Sequence, residues 1–333
     1  MAKRLFIDCM AIGQICYQTI ATLEHKVYER VLAGPALYAV AGIKPFSSQV
    51  GLLGIIPASE KAEVFHLLEK NQIDPNGIIV TTDFRLEEQF IGHLTQDNLP
   101  SDQPIPYFSA LGMPLPLSLQ VDSGVKKNQP LVQNFVPASL PAGYLSASAA
   151  HICMAPLEFQ VKAATLVDKT SVSVFTILSD PAYMQPANWD MVMSLLNGVT
   201  AFISTIEQLQ SLFKNRTGDI KEIGGFFNSR GCSYLITIEG AKGYHLFDAQ
   251  SKKSYLIPKY PVRVIDPTGM DEAFCGGFLA GLRKTHDPVE AMLCGSVIAS
   301  IKGEGCGPFY PLDTIPGLVD ARINRLKDWV KFF

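Results

Sequence analysis

The sequence has no cluster of basic residues, no long apolar run and no pair of cysteines at metal-binding spacing. Its 28 Lys and Arg residues are outnumbered by 31 Asp and Glu residues, which gives a formal net charge of −3. Binding to a phosphate backbone needs clustered positive charge, so we do not expect a nucleic-acid partner. The apolar runs fall short of the about 20 residues that span a bilayer, so we do not expect a membrane partner either.

The cysteines give no sign of a disulfide framework. There are seven of them, an odd number, and they are scattered along the chain without a C-x-x-C pair. This usage is typical of reduced thiols in a cytosolic protein, and no pattern marks one of them as catalytic. Asp8 interrupts the apolar run near the N-terminus, which favours a first β-strand over a signal peptide. We therefore predict a cytoplasmic location.

Several enzyme signatures are also absent. The six histidines show neither H-x-x-x-H nor H-E-x-x-H spacing, which argues against a transition-metal site. No G-x-S-x-G segment is present, which removes the simplest hydrolase interpretation. The lack of G-x-x-x-x-G-K-[ST] and of an early G-x-G-x-x-G argues against a P-loop enzyme and a nicotinamide dehydrogenase.

What is present is an alternation of strand and helix patterns in a chain that is 47% hydrophobic. The alternation predicts an α/β fold with a mostly parallel central sheet and helices on both faces. Ligands of such sheets bind at the carboxyl ends of the strands. Segments 14–33 and part of 84–117 fall outside the alternation and predict a small β-lid on a single domain spanning 1–333. The predicted strands are 5–12, 50–56, 78–82, 151–155, 172–178, 201–204, 231–238 and 243–247, and the predicted helices are 34–42, 60–71, 157–164, 190–196, 206–213, 272–282, 288–300 and 320–330.

The most informative segment is D-P-T-G-M-D-E-A-F-C-G-G, which begins at Asp266. It indicates a strand, a tight glycine turn and an apolar helix, an order that presents unpaired N–H groups to an anion. We predict that Thr268, Gly269 and Met270 form a phosphate site. A structural alternative is a self-capped helix, because Thr268 and Asp271 fit the capping-box spacing. Asp271 would then occupy the N–H groups that a phosphate needs.

The same segment resembles the D-T-x-G-A-G-D-x-x-x-G signature of the ribokinase-like (PfkB) carbohydrate kinases. The resemblance implies a three-layer ribokinase-like fold and transfer of a phosphoryl group from ATP, with Mg²⁺, to a hydroxyl of a small sugar or nucleoside-like acceptor. The family's catalytic base falls on Glu272, and its anion-hole glycine falls on Asp271. Some members hold a monovalent cation near this loop, so the resemblance implies that cofactor as well.

Two further segments resemble the substrate side of the family. Family members have a G-x-x-x-x-D element whose Asp holds sugar hydroxyls, and Gln18 occupies that position after Gly13. The glycine pair that follows the lid strands corresponds to Ala33 and Gly34, and the chain continues to Tyr38. The resemblance therefore implies Gln18, Ala33, Gly34 and Tyr38 as substrate-binding residues.

Other segments resemble the nucleotide side. The family's N-x-x-E corresponds to Ser204 and Glu207, where the Glu organises water around magnesium without binding the metal directly. Taken alone, Glu207 is more typical of a solvated helix residue. Gly240 and Gly243, taken alone, are more typical of a hairpin turn. Together with the main motif they imply a nucleotide site, whose residues are Ser204, Glu207, Thr237, Gly240, Gly243 and Gly303.

The sequence leaves two hypotheses open. The first is an active kinase in which Glu272 is the base. The second is a non-catalytic relative that keeps the fold and a pocket but acts as a sensor or partner-binding protein. It is motivated by departures from the family pattern that coincide at ligand-handling positions, namely Gln18, Ala33, Ser204, Asp271 and Glu272. Lids mediate dimers in many members, so the resemblance also leaves open that this protein forms a homodimer.

Overall fold

The computed structural model describes residues 6–82, 85–96, 100–120, 140–214 and 216–333. The strands of this part of the chain form one sheet of 11 strands and a separate sheet of three. They are β1 (Cys9–Ile12), β2 (Cys16–Ala21), β3 (Val27–Ala33), β4 (Val50–Pro57), β5 (Ile73–Asp74), β6 (Ile78–Thr81), β7 (Glu88–Gly92), β8 (Ala149–Ile152), β9 (Val174–Leu178), β10 (Ala201–Thr205), β11 (Tyr234–Ile238), β12 (Tyr244–Asp248), β13 (Lys253–Ile257) and β14 (Lys331–Phe332).

The large sheet runs in the order β14-β13-β12-β11-β10-β9-β8-β1-β4-β5, and β6 pairs with β4. Every pairing from β11 to β5 and β6 is parallel, whereas β12, β13 and β14 are antiparallel to their neighbours. The carboxyl ends of the seven strands β1, β4, β6, β8, β9, β10 and β11 therefore lie at one edge, where an α/β sheet binds its ligands. The predicted α/β fold with a mainly parallel sheet is confirmed.

Helices cover both faces of this sheet. They are α1 (Pro35–Ile43), α2 (Lys61–Lys70), α5 (Ala142–Leu145), α6 (Leu157–Val167), α7 (Trp189–Leu195), α8 (Ile206–Leu212), α9 (Ile220–Ser229), α10 (Met270–Thr285), α11 (Pro288–Gly303) and α12 (Leu318–Lys327), whereas α3 (Pro104–Ala110) and α4 (Leu117–Gln120) pack with the three-stranded sheet. Alternate residues of β1 point to opposite faces, as the strand period of two requires. Cys9 belongs to the core cluster that includes α1, α2 and α10–α12, whereas Met10 belongs to the cluster that includes α5–α9.

Several regular elements were not predicted, among them α9 and β13, and several boundaries differ from the prediction, including those of β1 and β8. Helix α9 contains adjacent glycines, which lower helix propensity, and Gly224 is needed because a Cβ there would lie 2.1 Å from the Phe247 ring. Strand β13 has no clear burial alternation and closes a hairpin at the margin of the sheet. The strand predicted from residue 5 begins at Cys9 in the described residues.

The small sheet has the order β3-β2-β7, in which β2 is antiparallel to β3 and parallel to β7. It has a core of its own, formed by Ala21, Phe90, Tyr107 and Phe108. Helix α3 supplies the last two of these side chains, so a segment of low periodicity still folds around aromatic contacts. Among the described helices, none is both long and apolar enough to cross a membrane.

Helix α10 is buried against both α1 and α11. Its glycines allow this approach, because a Cβ on Gly276 would lie 2.0 Å from the carbonyl oxygen of Ala39. A Cβ on Gly277 would similarly lie 3.0 Å from the carbonyl oxygen of Cys294. The close packing fixes the first turn of α10 with respect to the sheet.

Candidate active site

The turn that precedes α10 has the geometry of an anion site. Gly269 is the N-cap and adopts a left-handed conformation with φ of 75°. A Cβ at this position would lie 2.2 Å from the ring of Tyr38, so only glycine fits. The N–H of Thr268 donates to Oδ1 of Asp266 at 2.9 Å, and the N–H of Met270 donates to the carbonyl oxygen of Pro267 at 3.2 Å. These bonds hold the turn in one shape.

Two N–H groups of this turn remain open. Among the residues that the structure describes, no oxygen accepts from the N–H of Gly269 or of Asp271. Both lie at the positive end of a 16-residue helix, which favours a bound anion. The capping-box alternative was wrong, because no side chain caps α10 and Asp271 makes no cap hydrogen bond. The N–H groups of Gly269 and Asp271 therefore fit a phosphate group, whereas those predicted at Thr268 and Met270 are bonded within the turn.

Glu272 lies in the first turn of α10 with a side chain that is almost fully buried. Burial, and after it the negative charge of the neighbouring Asp271, raise the pKa of Glu272 to about 7, although its own N–H and Lys302 act in the opposite direction. Burial also raises the pKa of the Cys153 thiol, and the Glu272 carboxylate adds to that effect. Cys153 directly follows β8, so Glu272 lies at the carboxyl edge of the sheet.

Asp271 acts on different neighbours. Burial raises the pKa of Asp271, and the ammonium of Lys259 opposes the rise. Burial raises the pKa of Tyr244 on β12, and Asp271 raises it further. The two adjacent acids therefore influence different parts of the sheet. Glu272 acts on Cys153 after the central strand β8, and Asp271 acts on Tyr244 of the antiparallel strand β12.

The structure brings several of the predicted substrate residues together. The carbonyl oxygen of the Gln18 side chain accepts from the Tyr38 hydroxyl at 3.0 Å, and its amide donates to Gln89 at 3.2 Å. Tyr38 also contacts Gly269, so it links Gln18 on β2 to the turn of residues 266–269, called the phosphate turn below. Ala33 and Gly34 end β3 and begin α1 beside this group, and Gly34 has a φ of 108°.

The predicted nucleotide residues lie farther along the same edge. Ser204 on β10 and Thr237 on β11 are register partners, and both are buried. The Ser204 hydroxyl donates to Gln208, and the Thr237 hydroxyl donates to Glu239 at 3.0 Å. Four strand spacings separate β11 from β1, about 20 Å at 4.8 Å per strand.

The other four predicted nucleotide residues lie in three different places. Glu207 is exposed in the first turn of α8, while Gly240 and Gly243 form the β11–β12 hairpin with φ of 52° and 112°. Gly303 instead lies at the phosphate turn, where its carbonyl oxygen accepts the N–H of Asp266 at 3.1 Å. In the described ranges, no group of three or more His, Cys, Asp or Glu side chains is placed to hold a metal ion.

Sequence reasoning assigned no role to three residues that contact the turn. Asp266 and Lys302 form an ion pair of 3.1 Å in which both side chains are fully buried. His93, which follows β7, places Nε2 at 2.8 Å from Oγ1 of Thr268. Asp266 is the first residue of the motif and Lys302 is the single lysine of an apolar helix, so sequence patterns offered a signal for both, whereas they offered none for His93.

A family model covers the segment that contains the turn, Glu272 and Lys302. The model of the pfkB family of carbohydrate kinases matches residues 126–314, which is more than half of the chain. Among curated proteins, the cytidine kinase of Thermococcus kodakarensis is 25% identical over 158 residues. That match covers 47% of this chain and 55% of the relative, so the chain spans about half the length of the curated relative it matches.

Solved structures show the same fold at low sequence identity. A protein described as ribokinase II from E. coli, solved with ATP and Mg²⁺, has a TM-score of 0.69 at 15% identity over 96% of this chain and 100% of its own. A fructokinase variant from Vibrio cholerae, solved with fructose, ADP and a potassium ion, has a TM-score of 0.72 at 14% identity over 96% and 100%. The motif around Gly269, the sheet that presents it and the family model agree, and the chain belongs to the pfkB family of carbohydrate kinases.

Proposed function

We propose that this protein transfers the γ-phosphoryl group of ATP to a hydroxyl of a small nucleoside or sugar. The observation that carries the proposal is the position of Glu272, a buried carboxyl in the first turn of α10, three residues after the N-cap Gly269. Phosphoryl transfer needs N–H donors at the phosphate and a base at the attacking hydroxyl. The turn and Glu272 offer both within one turn of helix.

Glu272 is suited to the role of base. A carboxyl with a pKa of about 7 is about half ionised near neutral pH and binds a proton strongly enough to take one from a hydroxyl. The open N–H groups of Gly269 and Asp271 would donate to the transferred phosphoryl group. The Asp271 carboxylate adds negative charge nearby, and Lys259 partly offsets it.

The acceptor would bind beside the small sheet. Gln18 and Tyr38 offer amide and hydroxyl groups rather than a carboxylate, so they would form neutral hydrogen bonds to acceptor hydroxyls. We favour a nucleoside over a simple sugar because the curated relative is a cytidine kinase. The three-stranded sheet would act as the lid, and we retain a homodimer through it and a cytoplasmic location as predictions.

The nucleotide would lie along the ends of β10 and β11. ATP would supply the phosphoryl group, and Mg²⁺ would neutralise charge on its phosphates. Thr237, Gly240 and Gly243 would border the nucleotide, and Gly303 would support the turn. The exposed carboxylate of Glu207 would orient water around the metal ion rather than bind it directly.

The test is ADP release from Mg-ATP with a panel of nucleosides, pentoses and hexoses, with the phosphorylated product identified by mass spectrometry. We expect turnover with at least one acceptor and a loss of roughly 10²–10⁴-fold in kcat for Glu272→Gln, because a general base contributes about that much. Glu207→Gln is a matched control at an exposed carboxylate, and we expect it to change the Mg²⁺ dependence far more than kcat at saturating Mg²⁺.

Turnover separates the two hypotheses, and thermal shift with ATP shows separately whether the nucleotide site is intact. Absence of turnover with every acceptor, together with stabilisation by ATP, would support the non-catalytic relative. In that case the double variant Asp271→Gly with Glu272→Asp, which restores the family residues, should gain activity. Full activity of Glu272→Gln would contradict the proposed base.

A further inference from the structure

Lys302 is an unusual residue for the interior of a protein. It lies in the last turn of α11, and its side chain is fully buried. A buried ammonium group is costly unless each of its hydrogens finds an acceptor, so lysines are rarely found without exposure. The contacts of this side chain therefore indicate what it does.

Three oxygens surround the ammonium. Nζ of Lys302 donates to Oδ2 of Asp266 at 3.1 Å, to the carbonyl oxygen of Asp266 at 3.3 Å and to the carbonyl oxygen of Gly305 at 2.9 Å. These acceptors match the three hydrogens of the group. The ring of Tyr38 lies 5.5 Å away, which adds a cation–π contact.

This set of oxygens is also a set that a hard metal cation would use. One carboxylate and peptide carbonyls are the ligands that cations without a preference for nitrogen or sulfur select. In this chain the ammonium already occupies the position that such a cation would need. The residues present therefore do not fit the monovalent cation that the family resemblance implies and that the Vibrio cholerae fructokinase structure contains.

The position of the group is suited to support of the phosphate turn. Asp266 binds the ammonium through Oδ2 and accepts the Thr268 N–H through Oδ1 at 2.9 Å. Asp266 thus links the charge of Lys302 to Thr268, the residue before the N-cap Gly269. It also opposes the rise in the pKa of Glu272 that burial and Asp271 cause.

We propose that the ammonium of Lys302 serves as a built-in cation that holds the 266–269 turn in place of a monovalent metal ion. Lys302 is then a positioning residue, and the protein needs neither potassium nor ammonium ions. For activity this inference rests on the proposed function, but its structural part does not.

The experiment compares melting temperatures in KCl and in choline chloride at equal ionic strength. The wild-type chain should give the same Tm in both salts. Lys302→Ala removes the ammonium and leaves an oxygen-lined space beside a buried carboxylate, so its Tm should fall by several degrees in choline. Added KCl should then restore Tm in a saturable way, while LiCl should restore it less because the ion is smaller. The matched control is Lys284→Ala at an exposed lysine of α10, which should show no such response.

Each outcome decides the inference. A saturable rise in the Tm of the wild type with KCl would overturn the inference. It would also be overturned if Lys302→Ala had the wild-type Tm in choline chloride, or if KCl did not raise the Tm of this variant. If this variant does not fold in choline chloride, refolding across a KCl series gives the same answer, and failure to refold at every KCl concentration counts against the inference.

ADP release is measured in parallel. A potassium response of Lys302→Ala in a protein without turnover would keep the inference and reject the proposed kinase activity.

Discussion

Nε2 of His93 lies 2.8 Å from Oγ1 of Thr268, which joins the end of the small sheet to the phosphate turn. The same ring is 3.8 Å from Oδ1 of Asp266, and the carbonyl oxygen of His93 accepts from the Tyr107 hydroxyl at 3.1 Å. The aromatic core of the small sheet thus has a short hydrogen-bonded path to the turn.

The first prediction concerns the pH dependence of stability at His93. Burial lowers the pKa of His93, and Lys302 acts in the same direction, while Asp266 opposes them. A histidine with a depressed folded pKa contributes stability above its ordinary pKa of about 6.5 and loses it as the pH falls. We expect His93→Gln to lower Tm at about pH 8, because a contact is lost, but to reduce the further fall in Tm toward pH 5.5.

The control is His66→Gln, at an exposed histidine of α2. Its Tm should follow the wild-type curve across the same pH range. Thermal unfolding followed by circular dichroism gives both curves. Equal slopes for His93→Gln and the wild type would show that His93 does not titrate in the way the structure indicates.

Local patterns predicted the parts of the site that are close together in sequence. The N–H groups, the left-handed Gly269 and the carboxyl of Glu272 fall within one turn, so a single motif contains all of them. The N-cap residue could not be predicted, because the sequence fits a capping box of Thr268 and Asp271 as well as it fits an open anion site. The structure differs because the glycine itself takes the N-cap position and the Thr268 hydroxyl faces His93.

Contacts between distant residues were beyond the reach of sequence patterns. Lys302 and Asp266 are separated by 36 residues, and His93 and Thr268 by 175. A lone lysine in an apolar helix does not indicate its partner, because snorkelling to solvent is the usual outcome. The parallel sheet was predictable from alternation, whereas the margin strand β14 is two exposed residues that no periodicity marks.

The second prediction concerns Gly269→Ala. The added Cβ would lie 2.2 Å from the Tyr38 ring, and the residue would keep a φ of 75° that alanine disfavours. Gly198 has nearly the same φ, 73°, with nothing within 4 Å of an added Cβ. Gly198→Ala should therefore cost about 1–2 kcal/mol for the left-handed backbone alone. Gly269→Ala should cost more than that and should also weaken the stabilisation by ATP.

Chemical denaturation of the two variants tests this difference, and Tyr38→Ala in the Gly269→Ala background separates the ring clash from the backbone cost. Gly269→Ala should cost less when it is added to Tyr38→Ala than when it is added to the wild type, since the clashing ring is gone. Equal destabilisation by Gly198→Ala and Gly269→Ala would mean that Tyr38 yields freely and that the turn tolerates a side chain.

The last prediction concerns the charge of Asp271 and the pH profile of activity. Glu272 acts as a base only when ionised, so kcat should rise with pH through about 7, the pKa that burial and then Asp271 give it. Because its folded pKa is raised, the same group contributes stability that is present at low pH and is lost as the pH rises toward 7. Asp271→Asn removes the negative neighbour, lowers the pKa of Glu272 and should move both transitions to lower pH.

The control is Asp320→Asn, which neutralises an exposed acid in the first turn of α12 and should leave the profile unchanged. A rising limb that stays in place in Asp271→Asn would show that Asp271 does not influence the base, whereas a limb that moves to higher pH would reverse the electrostatic relation between the two acids.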